Sequence, residues 1–166
     1  RIRMEPITGL VGMVYNNAGF TGVPSDRSIG PRVNGRAAQT MAFGYNANPS
    51  GAGGVWSMRL AGKFIAPAEG TYQFRSTTNA RLTINAMACT IQAPCRQQLR
   101  RNATADIQAE VVSGTNGAAN VSLEVAGADN RWQPINAAET APGLNEVTEQ
   151  ETTDQLATGR GAERLR

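Results

Sequence analysis

Apolar and polar residues alternate with a period of two over several short windows of the chain. Val121, Leu123 and Val125 fall on one side, with Ser122 and Glu124 on the other. Successive side chains of an extended backbone point to opposite faces, so this spacing predicts a half-buried strand. The same period links Trp56, Met58, Leu60 and Phe64, then Tyr72 and Phe74, then Leu82 and Ile84, then Ala105, Ile107, Ala109 and Val111. Turn residues separate these windows, at Pro67 to Gly70, Thr77 to Asn79, Ser113 to Gly117 and Gly127 to Asn130. Their Gly, Asn and Asp residues accept the backbone angles that a chain reversal needs. No long window carries a helical apolar period, and strands spaced about 8 to 12 residues apart predict an all-β, antiparallel sandwich or barrel. With no repeat of solenoid length, one β-sandwich domain is the economical architecture.

Residues 46–54 are rich in glycine and lack sizeable apolar side chains, so they read as an exposed loop before the Trp56 strand, able to line a binding face. After Gly143 and Leu144 the composition turns to Glu, Thr, Gln and Asp, with Val147, Leu156 and Leu165 as the sizeable apolar residues. This divides the chain into a domain of residues 1–144 and an extended polar tail or linker of residues 145–166. The tail is expected to pass into a larger protein.

Composition narrows the chemistry. The 166 residues suit one domain. There is no histidine, which removes Ser-His-Asp and Cys-His catalysis and His-ligated metal sites. Lys63 is the single lysine among 16 basic residues, and the net charge is +3. Only Arg96, Arg100 and Arg101 cluster, with no aromatic residue among them, so no nucleic-acid partner is expected. The longest apolar stretch, Leu10 to Tyr15, is interrupted by Gly12 and is far shorter than the roughly 18 to 20 residues of a membrane helix, so no membrane insertion is expected. The chain opens at Arg1 without a signal pattern, so any targeting segment is expected to have been removed or to lie outside this fragment. Cys89 and Cys95 have no further Cys or His to complete a zinc site. They read as a short-loop disulfide, with two buried thiols as the alternative, and the disulfide implies an oxidising compartment.

The acidic residues are scattered over predicted strands and turns. Asp106 and Glu110 share the face opposite Ile107, Ala109 and Val111 and read as a solvated face rather than a catalytic carboxylate pair. Ser57 lacks a Gly-x-Ser-x-Gly elbow, and the glycines at 51–54 lack the Lys-Ser/Thr of a phosphate loop. No enzyme is expected.

Gly9-Leu10-Val11-Gly12-Met13-Val14-Tyr15-Asn16-Asn17 resembles the opening of the fourteen-kilodalton domain named after anthrax protective antigen. Trp56 to Phe74 is similar to that family's strand, Gly-aromatic step, Pro-x-x-Gly turn and Thr-Tyr-x-Phe strand. Arg81 to Asn85, Val121 to Val125 and Trp132 to Ile135 resemble later strands, so the resemblance covers about residues 7 to 144. It implies a β-sandwich module attached to adhesins, glycosidases, proteases and toxins, with carbohydrate binding as its best-known activity. Leu144 to Asp154 resembles the segment that follows this domain in secreted proteins with Rhs-type repeats, which implies a strand entering a toxin-delivering shell.

In the family's sugar-binding members two adjacent aspartates hold a calcium ion that ligates sugar hydroxyls. Thr78 and Asn79 occupy the matching positions here, and calcium favours carboxylate oxygens, so no metal and no cofactor are expected. Thr77, Thr78 and Asn79 read as a turn, with Asn79 at a left-handed position. Trp56, Phe64, Tyr72 and Phe74 read as core, whereas Tyr45 has no core in its neighbourhood and could stack on a sugar ring. The expected function is a non-catalytic recognition or adhesion module of a larger extracellular or surface protein, with glycan as the ligand and Thr78, Asn79, Asn85 and Tyr45 as the binding residues. The alternative is a structural spacer that docks on its parent protein without a ligand.

Overall fold

The structure is a computed structural model, and it describes residues 7–143. The tail of residues 145–166 and the Rhs-like segment lie outside the described residues.

Among the described residues fourteen strands follow one another: β1 (Val11–Tyr15), β2 (Asp26–Ile29), β3 (Arg32–Val33), β4 (Arg36–Ala37), β5 (Ala42–Tyr45), β6 (Ser57–Ile65), β7 (Gly70–Ser76), β8 (Arg81–Ile84), β9 (Met87–Cys89), β10 (Cys95–Leu99), β11 (Thr104–Val112), β12 (Ala119–Ala126), β13 (Trp132–Pro134) and β14 (Thr140–Ala141). All pairings are antiparallel. One sheet has the order β2-β1-β6-β11-β8-β9, with β14 also on β6; the other has the order β10-β7-β12-β13, with β5 also on β12. The fold is the all-β sandwich that the alternation predicts.

The core lies between the sheets, where Met58, Leu60, Phe64, Leu82, Ile84, Ile107 and Val111 of the first meet Tyr72, Phe74, Val121, Leu123 and Val125 of the second. Phe64 makes edge-to-face contacts with Tyr72 and Phe74, at centroid distances of 5.4 and 5.1 Å. Trp56 is buried, and its indole donates to the Gly117 carbonyl at 2.7 Å.

β1 carries no alternation because both of its faces are covered. Val14, with Leu10 just before the strand, enters the main core; Val11, Met13 and Tyr15 pack outward under Phe20 and Ile29. Gly62 in β6 lets the closing strand approach: a β-carbon there would collide with the Ala141 carbonyl oxygen and lie 2.8 Å from the Leu10 side chain. β3 and β4 form a hairpin around Asn34 and Gly35, whose φ values of +53° and +79° are those of a type I′ turn.

On the outer face of the first sheet, Asp106 pairs with Lys63 at 2.6 Å and Glu110 with Arg59 at 2.7 Å. They belong to a charged sheet surface, as their spacing predicts. Cys89 and Cys95 are joined in a disulfide that ties β9 to β10 across the five-residue loop between them.

Candidate functional site

The structure sends the sequence-predicted binding residues to different places. Thr78 lines a groove of about 330 Å³ between the 76–82 turn and the disulfide loop, together with Ser76, Thr77, Arg81, Thr90 and Gln92. Asn79 sits exposed in that turn, without the left-handed backbone expected of it. The nearest left-handed asparagine along the chain is Asn85, at φ +49°, followed by Ala86 at φ +66° in the two-residue β8–β9 turn. That position consumes its side chain. The Asn85 Nδ2 donates to Gln97 Oε1 at 3.0 Å, and its Oδ1 accepts the Asp106 backbone N–H at 2.8 Å, so Asn85 braces three strands.

Calcium does not fit the Thr78 groove. Its lining holds no carboxylate, and its one charged side chain is the cationic Arg81. The Thr78 hydroxyl oxygen already accepts the Ala80 backbone N–H. Among the described residues no cluster of three His, Cys, Asp or Glu side chains could hold a metal ion.

Tyr45 lies elsewhere, and its surroundings correct the expectation that no core needs it. Its ring packs edge-to-face on Trp56 at 5.4 Å and on Phe43 at 5.7 Å, on the margin of the core. Its hydroxyl donates to the Arg32 carbonyl at 2.9 Å. Burial, reinforced by the nearby Asp26 carboxylate, pushes the phenol up to about 12, so the hydroxyl stays protonated.

Around this fixed ring opens a groove of about 520 Å³, within the usual range for ligand sites. Asp26 from β2, Arg32 and Asn34 from the β3–β4 hairpin, and Asn46, Ala47 and Pro49 from the glycine-rich loop line it. Asp26 makes no ion pair among the described residues. Arg32 Nη1 donates to the Gly35 carbonyl at 3.2 Å, which holds the guanidinium beside its own hairpin.

Polar staples fix the loop. Asn48 is only 6% exposed, and its Nδ2 donates to Asn16 Oδ1 at 2.8 Å, while its Oδ1 accepts the Ser50 backbone N–H at 2.8 Å. These bonds join the loop to the chain following β1. The groove is therefore built before any ligand arrives.

Residue-by-residue reading missed Asp26, Arg32 and Asn34 as a group because they converge only when the hairpin folds over β5. The signal was present in the Asn34-Gly35 pair, the strongest short-range mark of a hairpin.

No protein-family model matches the sequence, and no curated protein matches it. Solved structures do. An anti-sigma factor domain-containing protein from Clostridium clariflavum aligns at 19% identity over 82% of this chain and 47% of that one, with a TM-score of 0.64. This chain thus spans about half the length of that protein. The PA14 domain of the MpAFP antifreeze protein aligns at 12% identity over 86% of this chain and 97% of its own, with a TM-score of 0.58. The PA14 sugar-binding domain from an RTX adhesin aligns at 15% identity over 82% and 99%, with a TM-score of 0.50. The fold is that of the protective-antigen-type domains.

Proposed function

We propose that this chain, a protective-antigen-type sandwich by fold, is a non-catalytic carbohydrate-recognition module of a larger extracellular or surface protein, and that it holds a neutral saccharide in the Tyr45 groove without calcium. The observation that carries this reading is the donor and acceptor set gathered there. Asp26 offers acceptors, Arg32 offers donors, and Asn34 and Asn46 offer both. Sugar hydroxyls both donate and accept, so a groove of mixed character matches them better than a groove of one kind. The opposite charges of Asp26 and Arg32 favour an uncharged ligand. The disulfide supports the extracellular setting, because such bonds persist in oxidising compartments. The sugar-binding domain of the RTX adhesin, which has the same fold, supports the ligand class.

A glycan array probed with the full chain, with calcium and with a chelator, tests this. Binding to neutral glycans is expected to survive the chelator and Asn79→Ala, and to weaken at least tenfold with Asp26→Asn or Asn34→Ala. Silence across neutral glycans, or binding abolished by the chelator, would overturn the proposal.

A further inference from the structure

The Thr78 groove shares no lining residue with the Tyr45 groove and has a different chemistry. Its one charged side chain is cationic, and no carboxylate lines it. Arg81 brings a planar fork of N–H groups and makes no ion pair among the described residues. The residue opposite it in the sheet register is Glu110, whose carboxylate oxygen Oε2 already accepts from Nε and Nη2 of Arg59.

The two threonine hydroxyls add to the donor set. Thr78 Oγ1 accepts the Ala80 backbone N–H, and Thr90 Oγ1 accepts the Ala93 backbone N–H at 2.9 Å. Thr90 Oγ1 thereby spends a lone pair on the backbone and keeps its own O–H for a partner in the groove, whereas the Thr78 hydroxyl also shares a hydrogen bond with Ser76 Oγ at 3.5 Å, which an incoming oxyanion would have to replace. The Thr90 contact also folds the disulfide loop into a closed turn, with Thr90 N–H donating to the Ala93 carbonyl at 3.1 Å. Cys89 and Cys95 anchor both ends of that loop, so the wall carrying Thr90, Ile91 and Gln92 is covalently held.

We propose that this groove is an anion site, in which Arg81, Thr78 and Thr90 bind the carboxylate or sulfate group of an acidic saccharide. A guanidinium forms two parallel bonds to either oxyanion, and the flanking hydroxyls can reach the remaining oxygens. Ile91, 50% exposed at the rim, gives the apolar face of the adjoining sugar ring a surface to cover. This site stands apart from the neutral-sugar reading of the Tyr45 groove, and the two can fail separately.

The test titrates the full chain with trigalacturonic acid, with a sulfated galactan hexasaccharide that carries no carboxylate and with neutral cellotriose, followed by calorimetry and by amide and guanidinium NMR shifts. At least one acidic probe is expected to bind and to shift Thr78, Arg81 and Thr90, and its affinity should fall as salt rises. Which acidic probe binds tells carboxylate from sulfate. Arg81→Gln should weaken binding at least tenfold, and Arg81→Lys should retain part of it as a charge without the fork. Arg96→Gln should leave it unchanged. The variants are surface changes, and a thermal melt of each confirms folding. If no acidic probe binds, if Arg96→Gln costs as much as Arg81→Gln, or if the shifts fall on the Tyr45 groove, the proposal is overturned.

Discussion

Opening the Cys89–Cys95 bond should destabilise the domain by an amount set mainly by chain entropy. The two cysteines are six positions apart, and the loop-closure entropy removed from the unfolded chain by a link of that span amounts to about 2 kcal/mol at 25 °C. Both cysteines are 2% exposed, so a reduced pair remains as two buried thiols that fill nearly the same space, and little packing is lost. For a domain of this size such a loss lowers the melting temperature by about 6 to 10 °C. The assay is equilibrium urea unfolding, followed by the fluorescence of Trp56 and Trp132, of protein refolded with and without reductant. The midpoint should drop in proportion. Because the reduced unfolded chain is less constrained and exposes slightly more surface, the denaturant slope should stay equal or rise a little. A reduced protein within about 0.5 kcal/mol of the oxidised one would refute the entropic account and show that the Thr90 turn holds the loop unaided. A loss beyond about 5 kcal/mol would refute it in the other direction, because the bond would then be organising the edges of both sheets.

Gly62→Ala should cost about 1 to 3 kcal/mol in the same urea assay, since the new methyl meets the Ala141 carbonyl and the Leu10 side chain; an unchanged midpoint would mean that β14 does not pack there. Tyr45 should make stability fall at high pH: its folded phenol, raised to about 12, keeps its proton while the unfolded one ionises near 10, so the folded state binds more protons between those values and loses stability as pH rises through them. Tyr45→Phe should remove that component of the decline, measured by urea midpoints from pH 9 to 12. Asn48→Ala removes a buried side chain that bonds Asn16 and Ser50, and should cost about 1 to 3 kcal/mol while weakening neutral-glycan binding through a residue outside the groove. Retained stability with retained binding would show that the loop does not need this staple.

How much of this was legible in the sequence depends on whether an element has one buried face or two. The strands at Trp56, Tyr72, Leu82, Ala105 and Val121 each bury one face of a sheet, so alternation exposes them directly. β1 is buried throughout, and its run of apolar residues carries no period to read. β3, β4 and β13 are two or three residues long, too short for any period. The left-handed turn was placed at Asn79 from residue type alone, yet the tight β8–β9 reversal lies six residues later and puts Asn85 there, its side chain locked by Gln97 and the Asp106 amide. Tyr45 was misjudged for a tertiary reason. Its nearest chain neighbours are polar or small, and the core it touches is supplied by Trp56, eleven positions on.

The two grooves show why type and spacing identify this fold more readily than its chemistry. Thr78 and Asn79 stand where the resemblance places two aspartates, and substitution alone says only that calcium loses its carboxylates. The structure adds what replaces them: a guanidinium free of ion pairs among the described residues, and two hydroxyls whose acceptor sides are turned to the backbone. A groove that would attract a cation is thereby inverted into one that attracts an anion. Asp26, by contrast, reads as one more surface carboxylate until the Asn34-Gly35 hairpin brings Arg32 and Asn34 to the same groove. Separate grooves of unlike charge would let one sandwich read a neutral sugar and an acidic sugar of the same glycan, so a mixed oligosaccharide should bind more tightly than either part alone wherever its length spans both sites. Equal affinity for the mixed glycan and its better half would show that the two grooves act on separate ligands.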